Sequence, residues 1–519
     1  MFSSMSRVPT SVEFRYDLCA LVRYLSLLTI WLFIAVPGRT ATWYVCAGSQ
    51  GGDGSGGRPF SSIQPGVNAA MPGDTVLVRQ GAYYETVKTV RAGVDSTNGV
   101  IYYIYIIAEG DGPAVVKAQE NYGFFIGRGH DFIWIEGFYI TNGYSQTTAH
   151  GSGIRTFGSY GVFIGNHIYD NDVGFFSEGL GQSDESTNNR GNYFAFNIIS
   201  NSGESAVRIK HSSENDIVFN LIYHNGYRLE PTGAIVYYCG LGNRIINNTF
   251  WNNAGVAVAA YNGTNSQDCI AAAGADVRDN IFARPDSGLL LSVDSHMIAD
   301  STSRYAFNLF WSPDSTAKLV HWGADEFGQG GSFLTLDQFI EISSNLNSES
   351  GQGSFFADPQ FFQAENNNFD LLLTSPAVDA GSVTAVEAKA DAVTAVITQE
   401  MDIGPVDLGY HHKPMIFSSN PDVNFPDEFT LYPNPYSGIG GLMFALPNSP
   451  YPRKISGEVY NIRGQRVAGF RIPDDPLNQF LIRWDALNLA DGCYFLDIRI
   501  NGKPHRSKIV ILKKNHRIP

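Results

Sequence analysis

Apolar positions come in short runs along this chain, separated by Gly, Asn, Asp and Ser. One phrase returns through its middle: asparagine, any residue, then an apolar residue. It reads Asn166-His167-Ile168, Asn197-Ile198-Ile199, Asn220-Leu221-Ile222, Asn248-Thr249-Phe250, Asn280-Ile281-Phe282 and Asn308-Leu309-Phe310. Copies fall about 23–32 residues apart, a period typical of stacked units. A second apolar run follows most copies, as in Gly174-Phe175-Phe176-Ser177, Ala206-Val207-Arg208-Ile209 and Ala234-Ile235-Val236-Tyr237, with Gly153-Ile154-Arg155-Thr156 as an earlier member. Such β-branched and aromatic runs between turn residues are strand chemistry. One coil cannot bury its own apolar face, so the coils must stack. The pattern predicts an all-β chain built as a parallel β-helix. The asparagines are expected at sharp bends, in left-handed conformations, with their amides hydrogen-bonded along the stack.

Within Glu204–His211, alternation turns Val207 and Ile209 inward and Arg208 and Lys210 outward. The equivalent outward positions are Phe176 and Glu178 one coil earlier, Val236 and Tyr238 one coil later, and Arg155 two coils earlier. Coils are about 4.8 Å apart, so Arg155, Glu178, Arg208, Lys210 and Tyr238 are expected to share a strip that can grip a sugar. The plainer alternative makes Glu178 and Lys210 an exposed cross-strand ion pair worth under about 1 kcal/mol. His211 ends the same run and is either a substrate contact or a packing neighbour. Asp170, Asp172 and Glu204 offer the oxygen donors that calcium prefers, as do Asp184 and Glu185, although turns use such residues too. Inserts at 182–190, 227–232 and 262–275 are expected to wall a groove.

Net charge is −15, which argues against a nucleic-acid partner and requires a local basic patch or a cation if the partner is an acidic polysaccharide. The apolar run Leu25–Val36, preceded by Arg7, Arg15 and Arg23 and followed by Gly38 and Ala41, reads as a secretory signal within residues 1–41. A retained anchor is the alternative; no other span is expected once the signal is removed. Cys239 and Cys269 either bridge neighbouring coils or are buried thiols.

The expected order is a signal (1–41), a β-helix domain (42–411), a linker (412–426) and a small C-terminal β-sandwich (427–519). Inside the β-helix domain, a cap with a short helix over Ile63–Ala70 precedes coils running from Ile101 to Trp311. A second short helix is expected over Leu334–Ile340.

Residues 42–411 resemble the secreted right-handed parallel β-helix superfamily that includes pectate, alginate and chondroitin lyases. The marks are Pro72-Gly73-Asp74-Thr75, the Asn-x-apolar coils, Asp358-Pro359, Ser375-Pro376-Ala377-Val378-Asp379-Ala380-Gly381 and Asp402 to His411. The following domain is similar to the C-terminal sorting domain of type IX secretion, through Tyr432-Pro433-Asn434-Pro435, Tyr460-Asn461-x-x-Gly464-Gln465 and Gly492-x-Tyr494. The second resemblance implies handling by the type IX machinery and export to the cell surface or beyond. The first implies an extracellular polysaccharide partner and β-elimination on uronate glycans, with Lys210 as base, Arg208 and Tyr238 assisting, Arg155, Glu178 and His211 binding substrate, and Ca2+ on Glu204, Asp170 and Asp172. Two departures stand out: paired carboxylates do not precede Lys210, and Tyr238-Cys239-Gly240 occupies the place of a basic residue. A non-catalytic glycan-binding or adhesive solenoid is the alternative. Glycoside hydrolysis ranks last, because it needs two carboxylates about 5–10 Å apart and only Glu178 stands out.

Overall fold

The computed structural model describes residues 40–412 apart from 98–99, 111, 146–149, 182–187, 228–232, 262–271, 287, 325–329 and 346–349, and beyond 412 the strands and turns between 430 and 511. Residues 1–39 of the expected signal (1–41) lie outside the described residues. Successive coils lay down three sheets, each with ten strands among the described residues. Pairing is parallel and in register from coil to coil, as in Tyr193–Ala195 on Asp216–Val218, Ile198–Ser200 on Leu221–Tyr223, and Val173–Glu178 on Ser205–Lys210. The chain is a parallel β-solenoid.

The interior follows from the alternation. Val207, Ile209, Ile217, Ile222 and Ile235 are fully buried in one continuous core. Like residues stack on like: Phe175 lies 4.3 Å from Phe194, and Phe250, Phe282 and Phe310 form a column with centroids 5.1 and 5.2 Å apart.

The asparagine phrase marks the corner between the first and second sheets. Each amide donates to the side-chain oxygen of the next coil, from Asn166 through Asn197, Asn220, Asn248 and Asn280 to Asn308, at 3.0–3.1 Å. The expected stacking is present, but the expected backbone is not. The left-handed residue precedes the asparagine, at Gly165, Phe196, Phe219, Asn247, Asp279 and Phe307. The bend is made one residue early, which leaves the asparagine free to hydrogen-bond along the axis. Two further ladders occupy the other corners: Asn192–Asn215–Asn243 at 3.1 and 2.7 Å, and Asn225–Asn253 at 3.0 Å.

The coils also begin earlier than Ile101. Thr75–Val78, Gly81–Tyr84 and Val87–Lys88 each join a different sheet, with Thr42–Val45 pairing on Thr75–Val78. The lead-in therefore builds a turn of the solenoid, and the helix Ile63–Ala69 packs Ile63 and Val67 into the same core. The later helix runs Leu336–Asn345, slightly beyond its expected place. At the far end, residues 355–412 fold back over the outer faces of the first and second sheets. Hydrogen bonds pin this segment: Ser382 donates to Asp279, Tyr410 N–H donates to Thr249 and Asn247 donates to the Asp407 carbonyl. Between 430 and 511 the strands form a three-stranded and a four-stranded antiparallel sheet.

Candidate functional site

The outer face of the third sheet carries the candidate residues. In register, Arg155, Phe176, Arg208 and Val236 form one column, and Glu178, Lys210, Tyr238 and Tyr261 form the column beside it. The structure thus brings Arg155, Glu178, Arg208, Lys210 and Tyr238 onto one face of four consecutive coils.

Their charges are unevenly matched. Arg155 ion-pairs with Glu178 and donates to the Tyr122 hydroxyl at 3.1 Å and the His150 carbonyl at 3.2 Å. Arg208 pairs with Glu204 at 3.0 Å. The Phe176 ring lies between the two guanidinium groups, with centroid distances of 4.6 Å to Arg155 and 5.8 Å to Arg208; Tyr238 is also 5.8 Å from Arg208. Such cation–π contacts hold the arginines against the sheet. The Nε atoms of Arg155 and Arg208 are buried without hydrogen-bond partners among the described residues. Lys210 differs from both. It sits in register between Glu178 and Tyr238 and, among the described residues, makes no ion pair, because the Glu178 carboxylate goes to Arg155. The plain Glu178–Lys210 pair expected as the alternative is absent.

His150 was not foreseen. Its Nδ1 lies 2.6 Å from a Glu204 oxygen, and its ring meets the Phe176 ring edge-on at 6.0 Å. It belongs to a loop outside the repeat, so periodicity gave no signal for it. His211 occupies a left-handed corner, where its N–H donates to the Tyr238 carbonyl at 3.0 Å. Its ring covers Gly181, at which a Cβ would come within 2.7 Å of Nε2.

Among the described residues, Glu204, Asp170 and Asp172 do not gather into one group of ligating side chains. Glu204 is already held by Arg208 and His150. Asp172 is buried and accepts the Ser145 N–H at 2.7 Å, while Asp170 is an exposed left-handed corner. Asn171 between them spends its amide on the backbone. Asp184 and Glu185, and most of the three inserts, lie outside the described residues. Among the described residues, one group of three ligating side chains lies within 4.8 Å: Asp402, Asp407 and His411, all buried. There an Asp402 oxygen bonds His411 Nε2 and the Asp407 N–H, each at 2.9 Å, and Asp407 accepts the Asp379 N–H at 2.8 Å. Burial pushes the Asp407 carboxyl up to about 6. This group ties down the returning segment by its own hydrogen bonds. Cys239, next to Tyr238, is disulfide-bonded; the expected partner Cys269 lies outside the described residues.

Comparison with known proteins adds a destination. Residues 430–512 match the family model of the secretion system C-terminal sorting domain. This tail marks an exported or cell-surface protein and points to the type IX secretion system. Among the described residues no helix is long and apolar enough to cross a membrane. No curated protein sequence matches the chain. Similar solved structures include XylC with xylose, at 12% identity, 54% of this chain, 66% of that chain and a TM-score of 0.39. Pectate lyase Pel9A matches at 16% identity over 72% of this chain and 97% of that one, TM-score 0.40. An alginate lyase from Paenibacillus sp. str. FPU-7 matches at 16% identity over 55% and 92%, TM-score 0.28. The chain spans just under two thirds of XylC.

Proposed function

We propose that this exported solenoid binds uronate-containing polysaccharide along the third sheet and cleaves it by β-elimination. The observation that carries the reading is Lys210: an amine that, among the described residues, has no carboxylate partner, on a face where both arginines have one. Elimination needs a base for the weakly acidic proton at C5 and a positive charge beside the neighbouring carboxylate. Lys210 takes the proton. Arg208 faces the carboxylate. Tyr238 and Phe176 offer ring faces to the sugar, and the Arg155–Glu178 pair and His211 shape the strip on either side. No step runs through calcium, because the expected ligands do not gather.

A binding role without catalysis is the second reading, favoured by the neutralised arginines around Phe176. One experiment separates the two. Purified protein is offered a panel of uronate polymers, with and without chelator. The lyase reading expects ultraviolet-absorbing unsaturated ends that resist chelation and are lost in Lys210→Ala. The binding reading expects retention on glycan gels that survives the same substitution, with no new ends.

A further inference from the structure

Elimination also needs a proton for the departing oxygen, and the geometry points to His150 as its source. This inference rests on reading the strip as an eliminating site. His150 Nδ1 lies 2.6 Å from Glu204 Oε2. An ionised carboxylate only accepts hydrogen bonds, so Nδ1 carries the hydrogen. Arg208 Nη1 lies 3.0 Å from the same oxygen and 3.3 Å from Nδ1. Two donors do not bond each other, so imidazole and guanidinium converge on one carboxylate. Nε2 has no hydrogen-bond partner among the described residues, on a side chain that is 34% exposed. A histidine oriented through one nitrogen and open at the other is arranged for proton transfer. The edge of Phe176 holds the ring from the side.

The placement suits the second half of the reaction. Glu204 immediately precedes the strand Ser205–Lys210, so His150 meets Arg208 from one end of the strip and Lys210 lies towards the other. A carboxylate on Arg208 would have the base on one side and the imidazolium on the other. Lys210 Nζ takes the C5 proton, the C5–H pair becomes the C4=C5 double bond, the C4–O4 bond breaks, and O4 leaves with the proton from His150 Nε2. Atoms and charge balance without another reactant. Glu204 acts as a positioning residue, which accounts for a carboxylate that is not free to hold a cation.

The test uses the full chain and two substrates: a natural uronate polymer and a uronate bearing a 4-O-aryl group that leaves without protonation. For His150→Gln we expect polymer cleavage to fall about 100-fold or more, with the aryl substrate turned over at nearly the wild-type rate. Lys210→Ala should lose both. Nitrogen-15 NMR of the histidines should show hydrogen on both ring nitrogens of His150 in the proton-donating form and the Nδ1–H tautomer once Nε2 has given up its proton, with the balance shifted by Glu204→Gln. Equal losses on both substrates, an unaffected polymer rate, or an Nε2–H tautomer at His150 would overturn the assignment. Failure of the wild type to form unsaturated ends from any uronate would instead overturn the reading beneath it.

Discussion

The outer faces of the first and third sheets follow the same stacking rule and reach opposite ends. On the first sheet, Asp216, Arg244, Asp276 and Arg304 stand in register on successive coils. Each charge finds its opposite next door: Arg244 with Asp216 at 3.3 Å, Arg304 with Asp276 at 3.2 Å. On the third sheet, Arg155 and Arg208 are separated by Phe176, the carboxylate for Arg208 comes from Glu204 four residues back along the chain, and Lys210 finds no ion pair among the described residues. In-register stacking makes ladders of whatever it is given. Alternating charges close on themselves, whereas rings interleaved with arginines leave an amine and a phenol facing outward. The contrast is what singles out the third sheet in the proposed function.

The comparison breaks most severely if the stack itself is damaged. Asn220 is fully buried; its oxygen accepts from Asn197 twice, and its amide donates to Phe194, Val218 and Asn248. Asn220→Ala orphans several of these groups at about 1–3 kcal/mol each. Denaturant unfolding should show a loss of about 4 kcal/mol or more; a loss under about 1 kcal/mol would mean the ladder is decoration.

Next in size is a pH effect within the returning segment. Burial raises Asp407 in the folded state to about 6, above its ordinary 3.8. A raised value means that folding favours the protonated acid, so this contribution is complete below the ordinary value and is lost as pH climbs through 6. Asp407→Asn keeps a carbonyl for the Asp379 N–H and removes the charge. It should be more stable than wild type at pH 7.5 by about 3 kcal/mol, with the gap closing near pH 4. A constant gap across that range would contradict the assignment.

The smallest effect belongs to the closed ladder. Arg244 is half exposed, and Arg244→Ala should cost under about 1 kcal/mol and leave any glycan activity unchanged. An activity loss there would erase the distinction between the two faces.

Much of this was legible because a period of one coil converts sequence offsets into neighbours. The register of Arg155, Phe176, Arg208 and Val236 needed only the repeat and strand alternation. A second ladder was equally legible and overlooked: Asn192, Asn215 and Asn243 carry the same asparagine-x-apolar phrase five residues before Asn197, Asn220 and Asn248. The first coils were missed because Thr75–Lys88 carries no asparagine phrase. The left-handed corner at Phe196 and Phe219 was misplaced by one residue, since bulky residues rarely take positive φ; there the two rings stack at 5.1 Å. His150 was beyond reach, because a loop outside the repeat has no offset from which to infer a neighbour.

The decisive variant is Lys210→Ala, followed by ultraviolet absorbance on whichever uronate polymer the wild type cleaves, with unfolding measured alongside. The wild type should yield unsaturated ends, and the variant should lose about 100-fold or more in rate with stability within about 0.5 kcal/mol of wild type. Cleavage that persists in Lys210→Ala would contradict the role given to Lys210.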